Sequence, residues 1–229
     1  GVYNEATKCL KCNERVVMTQ IEESLKRLQT DYLDFYQVHY AGTTPIEEST
    51  AAMQKLVMQG KIRHWGISNY SYDQIEKVIS LGYVCSYQPQ YSLLYRENQK
   101  SIDLCAKNNI GILTYGSIAG GILSGKYRTE EDCPKDGRTQ TYPFYHGEAF
   151  KKAMKLVDVL EMIANDHQKP ISHVAINWVN QQPGITTSLV GMKTPEQAIS
   201  NAEAGNWELS KEELMLINST YEKLFGDQQ

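Results

Sequence analysis

Residues 32–67 read YLDFYQVHYAGTTPIEESTAAMQKLVMQGKIRHWGI, and they decide the fold. They begin with an aromatic and β-branched run at 32–38, which is typical of a strand. Pro45 then opens a segment with apolar residues at helical spacing, and Gly60 ends it. A second apolar run follows at 62–67. Because strand, helix and strand succeed one another without a hairpin turn, the stretch predicts a right-handed crossover and two parallel strands.

The same alternation continues on both sides of this stretch. The pattern predicts further strands at 84–88, 110–115 and 185–190, and further helices at 15–29, 71–81, 97–108, 148–166, 171–181, 195–204 and 210–224, with a long loop at 116–147. Five strands fit either an open doubly wound sheet or a closed barrel, which needs eight. No G-x-G-x-x-G follows any strand, which argues against a Rossmann dinucleotide site. Without a linker or a change of composition, residues 1–229 are expected to form a single domain.

The composition favours small-molecule chemistry. The net charge is −4, and no block of lysine and arginine is longer than a pair, so neither a nucleic acid nor a membrane partner is expected. No apolar run approaches the ~20 residues that span a bilayer, and we expect a cytoplasmic protein. The odd count of five cysteines indicates free thiols. Cys9 and Cys12 have C-x-x-C spacing but lack a second pair, so no metal site is predicted.

Polar side chains stand at the carboxyl end of every predicted strand. In chain order these strand ends are His39, Ser68 with Asn69, Gln88, Tyr115, and Gly191 to Lys193. Taken alone, each has an ordinary structural explanation, such as a turn or a buried histidine with its hydrogen bonds satisfied. In a parallel barrel, however, all strand ends meet at one face, where active sites lie. Five in succession therefore favour a functional site.

The last strand end has the features of a phosphate site. Thr194 is placed to cap a helix that Pro195 opens, which leaves backbone N–H groups and the positive end of the helix dipole beside Lys193. Such helix ends bind phosphate. The alternative is a capped surface helix with an exposed lysine.

Five blocks of the sequence closely resemble the aldo-keto reductases, in the order of that family. They are SLKRLQTDYLDFYQVHY (24–40), GKIRHWGISNY (60–70), QPQYSLL (88–94), ILTYGSIAGGILSGKY (112–127) and VGMKTPEQAISN (190–201). The resemblance implies a parallel (β/α)8 TIM barrel whose N-terminal strands are missing or only partly represented here. It also implies NADP(H) as cofactor and hydride transfer to the carbonyl carbon of an aldehyde or ketone.

The resemblance assigns roles to the strand ends. His39 would orient and polarise the substrate carbonyl, Ser68, Asn69 and Gln88 would bind the nicotinamide carboxamide, and Tyr115 would stack on the nicotinamide ring. The pyrophosphate would lie along Gly116, Ser117, Ile118 and Gly120. The 2′-phosphate and adenine would meet Gly191, Lys193, Gln197 and Asn201. Ser200 departs from the acidic residue usual before that asparagine.

The family's proton donor is a tyrosine whose pKa a nearby lysine lowers, and the matching candidates are Tyr3 and Lys8. The alternative for Lys8 is an exposed terminal lysine. Tyr3 and Lys8 are five positions apart, whereas consecutive parallel strands need a crossover of a dozen residues or more, so both cannot end parallel strands of one continuous barrel. Either a segment between residues 5 and 6 is omitted, or the chain is truncated and GVYNE is a coincidence. The family's catalytic aspartate would precede Gly1.

The sequence therefore predicts an NADP(H)-dependent oxidoreductase. Lys193 favours NADP(H) over NAD(H). Two alternatives stay open: a cofactor-binding regulatory subunit on the same barrel with little turnover, and a phosphate-binding aldolase that forms a Schiff base through Lys8 or Lys193. The substrate and the oligomeric state are not predicted, although the loops at 40–45 and 116–147 are expected to shape the substrate site.

Overall fold

A computed structural model of the chain describes residues 2–4 and 9–226. The strands are β1 (Val2–Asn4), β2 (Cys9–Lys11), β3 (Leu33–Val38), β4 (Ile62–Ser68), β5 (Ser86–Gln88), β6 (Gly111–Tyr115) and β7 (Thr187–Leu189). The helices are α1 (Glu14–Leu28), α2 (Ile46–Met58), α3 (Tyr72–Leu81), α4 (Gln99–Lys107), α5 (Arg138–Thr141), α6 (Gly147–Asp166), α7 (Ile171–Asn180), α8 (Pro195–Glu203) and α9 (Lys211–Phe225).

The strands β3 to β7 form the predicted parallel sheet, and the predicted α/β class is confirmed. In β3 and β4, Leu33 pairs with Ile62 and Val38 with Ile67. Every predicted strand is present, although β5 and β7 are shorter than expected. Parallel pairing of successive strands brings their carboxyl ends to one edge of the sheet, where the predicted site residues begin.

The first residues form a separate antiparallel pair instead of a parallel strand. In it Tyr3 lies opposite Leu10, and Val2 opposite Lys11. An antiparallel pair needs only a short connection, which accommodates the spacing that two parallel strands could not have. The structure describes the backbone of Tyr3 but not its side chain, and Lys8 lies outside the described residues. Their catalytic assignments therefore stay predictions.

The chain divides into two compact units. The first comprises Gly1–Pro89 and Asn98–Leu113, and the second Gln90–Glu97 and Thr114–Gln229. In the first unit, helix α1 buries Val17, Ile21 and Leu25, and the side chain of Asn13 caps it by accepting from the backbone N–H of Val16. These apolar positions recur at helical spacing, which is why the sequence pattern located the helix.

The second unit is built on α6, α7 and α9. Helix α6 buries Leu156, Leu160 and Ile163 along one side, and the Trp178 side chain of α7 is fully buried. The predicted loop at 116–147 is partly helical: it contains α5 and the 3-10 turns Ala119–Ser124, Glu130–Asp132 and Pro143–Tyr145. The expectation of an irregular loop was therefore wrong in part, because turns this short leave no apolar periodicity in the sequence.

Within residues 2–4 and 9–226, no helix is both long and apolar enough to cross a membrane. The same residues contain no group of three or more His, Cys, Asp or Glu side chains that could hold a metal ion. The described cysteines Cys12, Cys85, Cys105 and Cys133 are free thiols.

Candidate active site

The strand ends of the first unit are joined by hydrogen bonds. The Ser68 hydroxyl donates to the carbonyl of Gln88 over 2.8 Å. The amide of Asn69 donates to the carbonyl of His39 and to the Ser68 hydroxyl, both over 3.1 Å. Asn69 adopts a left-handed backbone with φ 57°, which asparagine tolerates better than most residues. Thus four residues predicted from three different strands are brought together.

Strand register explains this grouping. Ser68 pairs with Gln88, so the two residues stand side by side on one face of the sheet. On the same face, Gln37 of β3 accepts a hydrogen bond from Gln88 Nε2 through its Oε1 at 2.9 Å. The sequence interpretation missed Gln37, although its place two residues before His39 put it on the face of the candidate site.

A cavity of about 670 Å³ lies in the second unit. Eight predicted cofactor residues line it: Gly116, Ser117, Ile118, Gly120, Gly191, Lys193, Gln197 and Asn201. The sequence interpretation missed other lining residues, among them Lys126, Arg138, Tyr142 and Ser172. Lys126 and Arg138 lie in the partly helical segment where sequence patterns were least informative.

The glycine-rich wall of this cavity has a conformation that side chains would disturb. Gly116 and Gly120 have φ of 74° and 69°, in the left-handed region. A Cβ at Gly120 would lie 2.6 Å from Tyr145 Oη and 2.8 Å from Tyr142 Cδ2. Tyr145 also donates to the Gly120 carbonyl over 2.9 Å. Tyr142 and Tyr145 therefore both pack against Gly120, and Tyr142 also lines the cavity.

The hydroxyl of Ser117 lies in this wall without a partner. Ser117 is 1% exposed, and its Oγ has no hydrogen-bond partner among the described protein atoms. A buried hydroxyl without a partner costs free energy, of order 1–3 kcal/mol. Such groups are found where a ligand completes the hydrogen bonding.

The lining also includes the start of α8, which has the predicted cap. The Thr194 hydroxyl accepts from Gln197 N over 3.3 Å, and Pro195 is the first helical residue. The side chain of Gln197 in turn accepts from the backbone N–H of Lys193 over 2.7 Å. The Lys193 side chain is exposed and forms no ion pair with any described residue.

Arg138 brings a second, fixed cation to the cavity. It is paired with Asp136, with 2.8 Å between Arg138 Nη2 and Asp136 Oδ2, and its Nη1 donates to the Tyr127 hydroxyl over 3.1 Å. The hydrogen bonds from Arg138 lower the pKa of Asp136 to about 2. Lys126 also lines the cavity, with Nζ 4.7 Å from the Tyr127 ring centre. Three cations, Lys126, Arg138 and Lys193, line the cavity, and no carboxylate side chain is among its described lining residues, so the cavity suits an anion.

Tyr115 ends β6 immediately before the cavity residue Gly116. Its carbonyl accepts from the backbone N–H of Tyr91 over 3.0 Å. The Tyr91 ring stacks on Trp178 with 5.8 Å between ring centres. The backbone at Tyr115 is thus tied to the core of the second unit.

Ser200, the residue that departs from the family pattern, binds a buried histidine. Its Oγ lies 3.0 Å from His173 Nε2, while His173 Nδ1 has no partner among the described atoms. Burial lowers the pKa of His173, so its neutral form is favoured. This contact links α8 to α7 at the rim of the cavity.

Comparison with known proteins shows the family. A profile described as the aldo/keto reductase family matches residues 4–222. The chain is 35% identical over 218 residues to aldo-keto reductase YhdN of Bacillus subtilis, covering 94% of this chain and 66% of the relative. It is 29% identical to the NADH-specific methylglyoxal reductase of Escherichia coli, covering 91% and 65% of the two chains.

A solved structure has the same fold. The glycerol dehydrogenase AKR11B4 from Gluconobacter oxydans superposes with a TM-score of 0.85 at 28% identity, over 93% of this chain and 65% of that one. The chain thus spans about two thirds of the length of these relatives. Its fold is that of the aldo-keto reductase (β/α)8 barrels, and the chain belongs to the aldo/keto reductase family.

Proposed function

We propose that the protein is an NADP(H)-dependent oxidoreductase that transfers hydride to an aldehyde or ketone. The observation that carries this proposal is the cavity of the second unit, which is lined by Lys126, Arg138 and Lys193 together with a glycine-rich segment and a capped helix start. This arrangement has the charge and the backbone donors that a phosphate-bearing dinucleotide requires.

The residues of the cavity fit the phosphate groups of such a cofactor. The unpartnered Ser117 hydroxyl offers a hydrogen bond at the wall, where Gly116, Ile118 and Gly120 would follow the pyrophosphate. Gly191, Lys193, Gln197 and Asn201 would surround the adenosine end. Since the Gln197 side chain already accepts a hydrogen bond from the backbone N–H of Lys193, we assign Gln197 mainly to holding that lysine in place.

The strand ends of the first unit would bind the nicotinamide carboxamide. Ser68, Asn69 and Gln88 form one hydrogen-bonded group whose amides can both donate and accept. Tyr115 would stack on the nicotinamide ring. When bound, the reduced cofactor would supply the hydride.

His39, whose carbonyl is tied to Asn69, would orient the substrate carbonyl. A proton must reach the carbonyl oxygen, and we assign its delivery to Tyr3, with Lys8 lowering the pKa of the phenol.

We assign the cofactor as NADP(H) because of Lys193. A cation beside the 2′-phosphate stabilises NADPH and offers nothing comparable to the neutral 2′-hydroxyl of NADH. Because one relative is named as NADH-specific, the coenzyme preference of this protein has to be measured directly.

The test is a fluorescence titration of the protein with NADPH and NADH, followed by NADPH consumption over a panel of aldehydes and ketones. We expect NADPH to bind and carbonyl compounds to drive its oxidation. No binding of either coenzyme would refute the proposal. Tight NADPH binding without turnover on any carbonyl compound would instead favour the cofactor-binding regulatory protein.

A further inference from the structure

Two glutamines meet across the middle strand of the first unit. Gln37 lies on β3 and Gln88 on β5, with β4 between them, and Gln88 Nε2 donates to Gln37 Oε1 over 2.9 Å. In the register, Gln37 is opposite Gly66, while Gln88 is opposite Ser68. The two amides therefore approach each other over β4, at the level of these two small residues.

Gly66 keeps this space clear. A Cβ at position 66 would lie 2.9 Å from Phe35 Cζ and 2.9 Å from the Ser86 carbonyl oxygen, and it would also collide with the Ser86 hydroxyl. Only glycine fits between these neighbours. The middle strand thus carries no side chain at the point opposite Gln37.

The hydrogen bond couples the directions of the two amides. An amide side chain has one donating end and one accepting end. If the Gln88 amide alone turned over, its oxygen would face the oxygen of Gln37, and the bond would be replaced by repulsion. Because Gln88 Nε2 donates to Gln37, Gln88 Oε1 is the atom that can accept a hydrogen bond from a ligand.

Within the described part of the chain, the other end of the Gln37 amide makes no hydrogen bond that would fix it elsewhere. Its Nε2 is buried and has no partner among the described protein atoms. The main chain of Gln88 is held separately, because the Ser68 hydroxyl donates to its carbonyl. Gln37 therefore acts on the direction of the Gln88 side chain, while Ser68 fixes its backbone.

We propose that Gln37 is a positioning residue which turns the Gln88 oxygen toward the amino group of the nicotinamide carboxamide. This inference rests on the proposed function, because it takes Gln88 as a carboxamide ligand. Gln37 would act through Gln88, whose side chain would make the contact.

The experiment compares three ligands that differ only at the nicotinamide end. They are NADPH, its 3-acetylpyridine analogue, which keeps the carbonyl and lacks the amino group, and 2′-phospho-ADP-ribose, which lacks the nicotinamide. Binding is measured by calorimetry for the wild type, Gln37→Met and Gln37→Glu. Gln54→Met is the matched control, because Gln54 is a half-buried glutamine whose Nε2 donates to the Leu81 carbonyl outside the candidate site.

The wild type should bind NADPH about five- to tenfold more tightly than the acetylpyridine analogue, the effect of one hydrogen bond. Gln37→Met should lose that preference and keep its affinity for 2′-phospho-ADP-ribose. Gln37→Glu retains an acceptor for Gln88 Nε2 and should restore the preference. Gln54→Met should match the wild type.

Other outcomes overturn the inference in distinguishable ways. Equal wild-type affinity for NADPH and the analogue would mean that Gln88 presents its nitrogen, and a preference that survives in Gln37→Met would mean that Gln37 positions nothing. Both leave the proposed function intact. Failure of the wild type to bind any of the ligands would overturn the proposed function together with this inference.

Discussion

The guanidinium carbon of Arg96 lies 3.7 Å from the centre of the Tyr221 ring. It also lies 4.4 Å from the centre of the Trp178 ring. One cation therefore makes cation–π contacts with two aromatic side chains, from α7 and α9. Burial lowers the pKa of Arg96, and its Nη2 is buried without a hydrogen-bond partner among the described atoms. The two rings, together with the Leu93 carbonyl that accepts from Arg96 Nε over 3.2 Å, compensate for placing this half-buried charge in the second unit.

Replacing Arg96 by Met should lower the free energy of unfolding by about 2 kcal/mol or more, because desolvated cation–π contacts reach that size. Arg96→Lys should recover part of the loss. Denaturant titration checks both. The control is Arg27→Met, since the Arg27 side chain is 69% exposed and its ion pair with Glu23 contributes little. A loss at Arg96 no larger than that at Arg27 would contradict this account.

Gly120→Ala should destabilise the protein by about 1–3 kcal/mol, because a left-handed φ and the approach to Tyr142 and Tyr145 both disfavour a Cβ there. The melting temperature measures the effect. Gly205→Ala is the matched control, as a Cβ at Gly205 meets nothing within 4 Å. If the variants had equal melting temperatures, the conformation of the glycine-rich wall would not depend on Gly120.

The buried His173 should make stability depend on pH. Its pKa is lowered in the folded protein, chiefly by burial, with Glu203 acting to raise it and Lys169 to lower it. The unfolded chain therefore binds more protons between the folded pKa and the ordinary value near 6.5, and stability should fall as the pH drops through that window.

The matching variant is His173→Gln, which keeps a hydrogen-bonding group toward Ser200 but does not titrate. Its free energy of unfolding should change less than that of the wild type between about pH 7 and about pH 5. Parallel curves for the two proteins would show that His173 does not contribute.

Lys193→Glu should reduce NADPH affinity about tenfold or more and change NADH affinity much less, since it places a negative charge beside the position proposed for the 2′-phosphate. Calorimetric titration with both coenzymes checks this. Lys155→Glu makes the same charge change at another exposed lysine, on α6, away from the residues that line the cavity. Equal losses for NADPH and NADH would refute the assigned role of Lys193.

Most elements of the fold could be predicted because their apolar residues repeat with the period of a helix or strand. The helix predicted between Pro45 and Gly60 is present as α2, Ile46–Met58. Proline and glycine are typical of helix starts and ends, so they indicated where it begins and stops. The turns around Arg138 could not be predicted, because each is held by local hydrogen bonds such as that from Thr129 N to Asp132 Oδ2. Such contacts leave no periodic signal.

The candidate site was predictable where it follows strand ends and was missed where it depends on partners distant in sequence. His39, Ser68 and Gln88 could be predicted as one group because parallel strands align their ends. Gln37 was missed because its hydrogen bond with Gln88 depends on β3 and β5 flanking the same strand, at the position of Gly66. The pairing of Tyr3 with Leu10 was missed because three-residue strands are too short to show alternation.

Helix α8 follows Lys193, to which we assign the 2′-phosphate, yet none of its residues, Pro195–Glu203, is buried. Apart from Ser200, which contacts the buried His173, its residues can therefore be substituted with little disturbance of the apolar interior of the second unit. Mutations that alter coenzyme choice should consequently be tolerated here more readily than at the strand ends. A change of coenzyme preference would then require only a few substitutions on the surface of this helix, with the sheet and its strand ends left unaltered.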